Sequence, residues 1–418
     1  MNDETFELLT EKDCCKILEQ HVSADTHLVN YKIYKANSKV VGYMGDHFRL
    51  KIFYQDYLKN TVQELKFFVK CKPIINKRQA DYENETGFFK KECLLYQNIL
   101  PKLSALTDVQ LSPRCYLANK KCLVMEDLMN RNFASKRSYL NLEECESLVR
   151  CLAKFHCASI VFEELYSFNG NKFRLNQLFK EEFKEIAFSF VEGQPRNKWL
   201  KTTTECVIQC IKFLQLANTH NINEKLKYVA FNGMETFISP SEKFRNVVTH
   251  SDLWCNNFMM NDDLECLLID FQLARYNPPA YDLLLSLYLN TTKDFLEENM
   301  ENLLELYYIT FKNMLLQYKI TPEEVFPKKR FLESIEYFKL PAVLEAVYFA
   351  TNTLISPETS EYVMADAERY HEFIFVNRSK YILEEFGKNS SFKSGLLQVL
   401  IPLIDILQKT DVKQILFT

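Results

Sequence analysis

The chain has 418 residues, 47% of them hydrophobic, and a formal net charge of −4 from 51 Lys and Arg against 55 Asp and Glu. That length is ample for a buried core and permits about two or three domains. The balanced charge, with no dense Lys/Arg run, speaks against a nucleic-acid partner, and only 8 Gly and 12 Pro speak against long flexible linkers.

Thirteen cysteines lie scattered, mostly in apolar periodic segments such as those of Cys145, Cys151 and Cys157, and no C-x-x-C pair occurs. Neither a zinc site nor a disulfide framework is expected; reduced thiols in a cytoplasmic protein are. The stretch Met1 to Glu11 is polar and acidic and does not read as a signal peptide. No apolar run approaches membrane-spanning length, so no membrane span is expected.

In chain order, Leu9 to Val22 reads as a helix, capped by Thr10 with Asp13 in the capping-box position. From Val29 to about Lys72 the pattern turns β-rich, with runs Phe48–Tyr54 and Leu65–Lys70 and Pro73 ending the second. Gly42 and Gly45 open this strand pair. Glycines let a turn approach phosphates closely and expose backbone N–H groups to them; a plain turn accounts for both residues as well. A helix is expected over Tyr82–Ile99, with Phe88, Phe89, Cys93, Leu95 and Tyr96 on its apolar side and Pro101 as its stop.

Short strands at Cys115–Leu117 and Cys122–Met125 lead into a connector ending at Leu128. From Asn141 the chain is mainly helical, with Leu142, Cys145, Leu148, Leu152, Phe155 and Ser159 at helical spacing, apart from strands around Asp252 and Asp270. Mostly β and then mostly α is an α+β, two-lobed plan. It places a small β-rich N-lobe in residues 1–128 and a large helical C-lobe in 129–418. The active site is expected in the cleft between them.

The most informative stretch is His250-Ser251-Asp252, with Asn257 following and Asp270 at the end of the apolar run Glu265–Ile269. Phosphoryl transfer uses such groups in that order: one carboxylate near the acceptor hydroxyl, then an Asn and an Asp that hold magnesium on the phosphates. A phosphate-binding lysine and its helix glutamate should then lie upstream. Lys70 ends the strand run, and Glu92 lies on the next helix with Glu85 as a competing partner. An adenine ring would meet backbone groups around Met125, Glu126 and Leu128, where side-chain identity matters little; Glu126 and Asp127 can also serve as caps.

These residues resemble the ecdysteroid kinase-like, or CHK kinase-like, family, which stands with choline kinases and aminoglycoside phosphotransferases on a protein-kinase-like fold. His250-Ser251-Asp252-Leu253-Trp254-Cys255-Asn256-Asn257 resembles its H-G-D-x-W-x-x-N signature. Phe68-Val69-Lys70, Phe89 to Tyr96, Met125-Glu126-Asp127-Leu128, Asp270-Phe271-Gln272 and Pro279 to Leu283 resemble its F-V-K, F-x-x-E-x-x-x-Y, E-D-L, D-F-Q and P-x-x-D-L pieces. The resemblance implies Asp252 as catalytic carboxylate, Asn257 and Asp270 as Mg2+ ligands, and Lys70 with Glu92 on the ATP phosphates. His250 and Asp282 become structural supports. Trp254 stands where protein kinases carry a lysine, so a protein substrate is not expected.

Two positions depart from the family pattern: Ser251 replaces the Gly of H-G-D, and His47 stands where Asn is usual. If the former position needs φ > 0, Ser strains it. The family's reaction implies transfer of the ATP γ-phosphate to an ecdysteroid hydroxyl, or to a hydroxyl of a related sterol-like, dietary or xenobiotic compound in insects. The stripe Phe338, Leu340, Val343, Tyr348, Phe349 and Leu354 is either core or steroid-pocket lining. The alternatives are a choline- or aminoglycoside-type kinase, for which Glu361, Asp366 and Glu368 are available acids, and an inactive ligand-binding pseudokinase.

Overall fold

The computed structural model describes residues 8–22, 26–36, 45–57, 59–74, 76–136, 139–166, 173–216 and 219–415. Gly42 lies outside the described residues. Helix α1 (Glu11–His21) starts at Thr10, whose hydroxyl accepts the Asp13 backbone N–H while the Asp13 carboxylate accepts that of Thr10. Buried Cys14, Ile17 and Leu18 seat this helix on the N-terminal sheet.

The sheet contains β1 (Thr26–Lys35), β2 (Asp46–Asp56), β3 (Thr61–Cys71), β4 (Cys115–Ala118) and β5 (Cys122–Glu126), all antiparallel, in the order β1-β2-β3-β5-β4. Strand β2 buries Phe48, Leu50, Ile52 and Tyr54 at alternate positions, the period of two expected for one face on a core. Strand β1 extends the sheet where the sequence pattern had singled out no strand. Its apolar face, Leu28, Tyr31 and Ile33, is only half-buried, and a register shift between Leu28 and Asn30 breaks the period of two that would announce it.

The helix expected over 82–99 is two helices. α2 (Lys77–Thr86) and α3 (Phe88–Asn98) meet at Gly87, whose φ of +76° is left-handed and interrupts the first helix without steric cost. The Glu83 carboxylate accepts the Phe89 N–H at 2.9 Å and closes the start of α3. Pro101 does not act as a stop. It occupies the first turn of α4 (Leu100–Thr107), where a missing N–H breaks no helical bond.

After β5 the chain passes through a short 3-10 turn, Leu128–Arg131, capped by Asp127. It then enters a helical body built on α5 (Leu142–Leu165) and the helices Pro279–Asn290 and Lys328–Thr353. Asn141 and Glu144 form the capping box of α5. Two short antiparallel pairs interrupt this body: β6 (Val247–Thr249) with β9 (Arg275–Asn277), and β7 (Phe258–Met260) with β8 (Cys266–Leu268). They hold the two loops that carry Asp252 and Asp270.

Helix Ser390–Lys409 is long and apolar enough, by length and composition, to cross a membrane. This corrects the expectation that no apolar run reaches that length. In the fold it packs against Lys328–Thr353 and buries Phe392, Leu396, Leu400 and Leu403. All thirteen cysteines carry free thiols.

The break at Gly87 sets where α3 begins and therefore which residues face β3. Nothing lies within 4 Å of a Cβ built there, so Gly87→Ala meets only the backbone penalty of the left-handed conformation. That variant should lose about 1 kcal/mol of stability, read as a lower urea midpoint at unchanged slope.

Candidate active site

Antiparallel pairing sets Lys70 of β3 opposite His47 of β2 and Leu123 of β5. Its side chain is buried. Lys70 Nζ lies 2.7 Å from Glu92 Oε2 on α3 and 2.8 Å from Asp270 Oδ1 of the helical body. Glu85 is exposed on α2 and makes no such pair. Burial disfavours the Lys70 charge, but Asp270 and Glu92 outweigh it and hold the ammonium charged. Gly45 lies against this lysine: a Cβ there would meet the Cys71 carbonyl at 3.0 Å and Lys70 Cε at 3.3 Å. Burial, and next the Lys70 ammonium, push His47 down to about 4, so it adds no positive charge beside Lys70 at neutral pH.

The loop after β6 is shaped by one buried carboxylate. Asp282 accepts the backbone N–H of His250 at 2.7 Å and of Ser251 at 2.8 Å, and His156 Nε2–H of α5 at 3.0 Å. Burial opposes the Asp282 charge. His156 and His250 outweigh it and hold the carboxyl below the usual carboxylate range. Ser251 has φ +64°, a left-handed value for a non-glycine residue, and its hydroxyl meets that of Thr249 at 3.0 Å. The strain anticipated for a side chain here is therefore present, and the bonds to Asp282 hold it. Burial lowers the His250 pKa, its Nε2–H donates to the Ile269 carbonyl at 2.7 Å, and its ring lies 4.8 Å from that of Phe271.

Beyond that turn the loop closes on itself. Asn257 N–H donates to the Trp254 carbonyl at 2.8 Å, and Asn257 Nδ2 donates to the Asp252 carbonyl at 2.7 Å. The second bond commits the amide nitrogen and leaves Oδ1 to the cleft. Ile269 N–H donates to the Asn257 carbonyl at 2.9 Å, which places Asp270 beside the loop, with φ +64°. The Asp252 carboxyl is pushed well above the usual carboxylate range, first by burial and then by the charges of Asp270 and Glu345.

Lys70, Glu92, Gly45, Met125, Glu126, Leu128, Asp252, Asn257 and Asp270 all line one cleft of about 750 Å³. That size suits a ligand site of roughly 300–1,000 Å³. His250 and Asp282 lie beneath it. Glu126 spends its side chain on Gln110 at 2.8 Å and Arg131 at 3.1 Å, and Asp127 pairs with Arg49 at 3.3 Å.

A magnesium ion fits the donor set. Asn257 Oδ1 and the Asp270 carboxylate, whose side chain is 26% exposed, are hard oxygens facing the cleft. Asp252, Asp270 and Glu92 are set against the single ammonium of Lys70, so a divalent cation would relieve an excess of negative charge. Among the described residues no three His, Cys, Asp or Glu side chains form a ready-made metal cage. Magnesium commonly needs only one or two protein carboxylates when phosphates share it.

The model of the ecdysteroid kinase-like family matches residues 39–320, more than half of the chain. The chain belongs to the ecdysteroid kinase-like family. This makes it kin to small-molecule kinases, and the match spans strands β2 to β5 of the sheet, the Asp252 loop and Asp282. No curated protein matches it. Among solved structures it is similar to a Plasmodium vivax ethanolamine kinase, at 15% identity over 94% of this chain and 92% of that one, with TM-score 0.36. A choline kinase from Streptococcus pneumoniae is 12% identical over 90% and 99%, with TM-score 0.36. An aminoglycoside phosphotransferase from Alicyclobacillus acidocaldarius is 14% identical over 90% and 93%, with TM-score 0.38. Scores this low leave the family match and the geometry as the grounds for a functional reading.

Sequence reasoning missed several residues of this ecdysteroid kinase-like site. His156 reads as one more position of an apolar helix, yet it is the third donor to Asp282. Tyr82, Phe88, Arg196, Trp199 and Tyr370 line the cleft from four separate segments, with no local motif to mark them. Of the aromatic stripe, Phe349 reaches the cleft, while Phe338, Leu340, Val343 and Tyr348 are core. Glu361, Asp366 and Glu368 do not line it.

Asp282→Asn removes the charge that three donors share and should destabilise the fold by about 2 kcal/mol or more. The folded carboxyl titrates below its unfolded value of roughly 3.9. Its stabilisation is thus full above that value and lost as pH falls through the folded one. The stability gap between parent and variant should be constant near neutrality and close in acid, as read by urea unfolding across pH.

Proposed function

We propose that this protein transfers the γ-phosphate of ATP to a hydroxyl of an ecdysteroid or similar sterol-like compound. One observation carries the phosphotransferase part: the buried Lys70, held by Glu92 of the sheet region and Asp270 of the helical body, faces Asp252 across a single cleft. In this reading the lobes divide after Leu128. The connector Met125–Leu128 meets the adenine, and Gly45 leaves room beside Lys70 for the phosphates. Asn257 and Asp270 would hold magnesium, which when bound neutralises phosphate oxygens.

Asp252 takes the proton of the acceptor hydroxyl as its oxygen bonds to the γ-phosphorus, and the bridging oxygen leaves with ADP. Burial and neighbouring carboxylates make Asp252 more basic than an ordinary carboxylate, as a proton acceptor near neutral pH should be. Glu92 fixes the lysine, and Asp282 fixes the loop.

The acceptor end of the cleft supports a largely apolar substrate. Tyr82, Phe88, Trp199, Phe349, Tyr370 and Ile374 line it. A cytosolic location is part of the same proposal, supported by the thirteen free thiols.

A panel of ecdysteroids, choline and aminoglycosides, read by the mass shift of the acceptor, tests the reading. An ecdysteroid should gain one phosphoryl group; turnover of choline alone would sink the sterol part. Asp252→Asn should retain ATP binding and lose about 10²–10⁴ in rate. In the parent the rate should fall with acid, with its midpoint above the ordinary carboxylate range, because the ionised Asp252 is the working form.

Asp270→Ala should abolish the magnesium-dependent part of ATP affinity, measured by calorimetry with and without the metal. Equal ATP binding by parent and variant under both conditions would remove Asp270 from that role.

A further inference from the structure

Arg196 stands at the acceptor end of the cleft in an unusual setting. It occupies the first turn of the helix Pro195–Phe213 and lines the cleft with Asp252. Its guanidinium carbon lies 4.9 Å from the Trp199 ring centre, 5.0 Å from that of Phe88 and 5.6 Å from that of Tyr82. Three aromatic rings collect around a cation in this way when a positive charge is to be bound. Here the protein's own arginine already fills the collar, so a second cation would be repelled.

The guanidinium is also under-compensated. Arg196 Nε donates to the Ala187 carbonyl at 2.5 Å. Among the described residues no carboxylate pairs with it and neither Nη has a hydrogen-bond partner, so both terminal nitrogens are offered to the cleft. Other cleft-side charges are answered: Lys70 by two carboxylates, and Arg49 by Asp127. Burial pushes the Arg196 pKa down to about 9, which leaves it charged at neutral pH.

We infer that Arg196 is an anion anchor, and that the acceptor is a hydroxylated, mostly apolar acid whose carboxylate lies on this guanidinium while its hydroxyl reaches Asp252. The planar fork of arginine matches a carboxylate with two parallel N–H···O bonds, and the aromatic collar supplies apolar walls on either side. This rests on the phosphotransferase reading and narrows its acceptor from a sterol-like compound to a sterol-like acid. It also gives a physical ground for rejecting choline, ethanolamine and aminoglycosides.

The test needs no turnover. Trp199 and Trp254, the only two tryptophans of the chain, both line the cleft, so intrinsic fluorescence reports its occupancy. The probes are cholate, its uncharged methyl ester and an amine on the same skeleton, without nucleotide. Cholate should bind about tenfold tighter than the ester, a charge-assisted bidentate contact against a neutral one, and the amine should bind weakest. Arg196→Gln should erase the order while leaving magnesium–ATP binding intact, and Arg196→Lys should restore part of it.

Equal affinities of the parent for cholate and ester would overturn the inference without any variant, as would the same order in a folded Arg196→Gln protein. A cholate preference in a protein that binds no ATP would sink the kinase reading and spare the anchor. Phosphorylation of neutral sterols with no preference for acids would do the reverse.

Discussion

The site depends on a single buried carboxylate. Asp282 gathers two successive backbone N–H groups of the Asp252 loop and one imidazole N–H from α5. Ser251, which donates the second of these amides, turns left-handed at φ +64°. A non-glycine residue in that conformation is strained by about 1–2 kcal/mol. Three hydrogen bonds to an ionised acceptor in a dry interior exceed that, so the strain persists and the loop has one shape.

Charge balance organises the other half of the cleft. Lys70 is too buried to stay charged alone, and Glu92 is too buried to stay ionised alone. Each makes the other tolerable, and Asp270 adds a third member from across the cleft. The arrangement ties the sheet to the helical body through ion pairs, alongside the apolar packing of Leu123 and Met125 in the same core as the helical body. It also sets two carboxylates against one ammonium, which leaves negative charge in excess. Burial, and next the charges of Asp270 and Glu345, raise the Asp252 pKa in the same region.

Around Arg196, in the same cleft, the logic reverses. Acids give way to aromatic rings around Arg196, drawn from α2, α3 and the helix Pro195–Phe213. One cleft thus holds both a carboxylate cluster around Lys70 and a guanidinium in an aromatic collar.

Much of the candidate site around Asp252 was legible in the sequence, because short-range geometry fixes it. Asp252 and Asn257 belong to one tight loop. Asp270 follows one short strand, Lys70 stands next to the end of another, and the capping box at Thr10 is read from residues three apart. Patterns failed where a bulge broke a half-buried alternation, as in β1, or where one residue's backbone decided the outcome, as at Gly87 and Pro101. The sequence alone determined the order of charged groups, the family and the two-part plan, since these follow from local spacing. Only tertiary structure decided that Glu92 rather than Glu85 answers Lys70, that His156 supports Asp282, and that Arg196 stands in an aromatic collar beside Asp252. Those relations join segments from tens to more than a hundred residues apart, and packing in three dimensions creates the burial that gives each charge its strength.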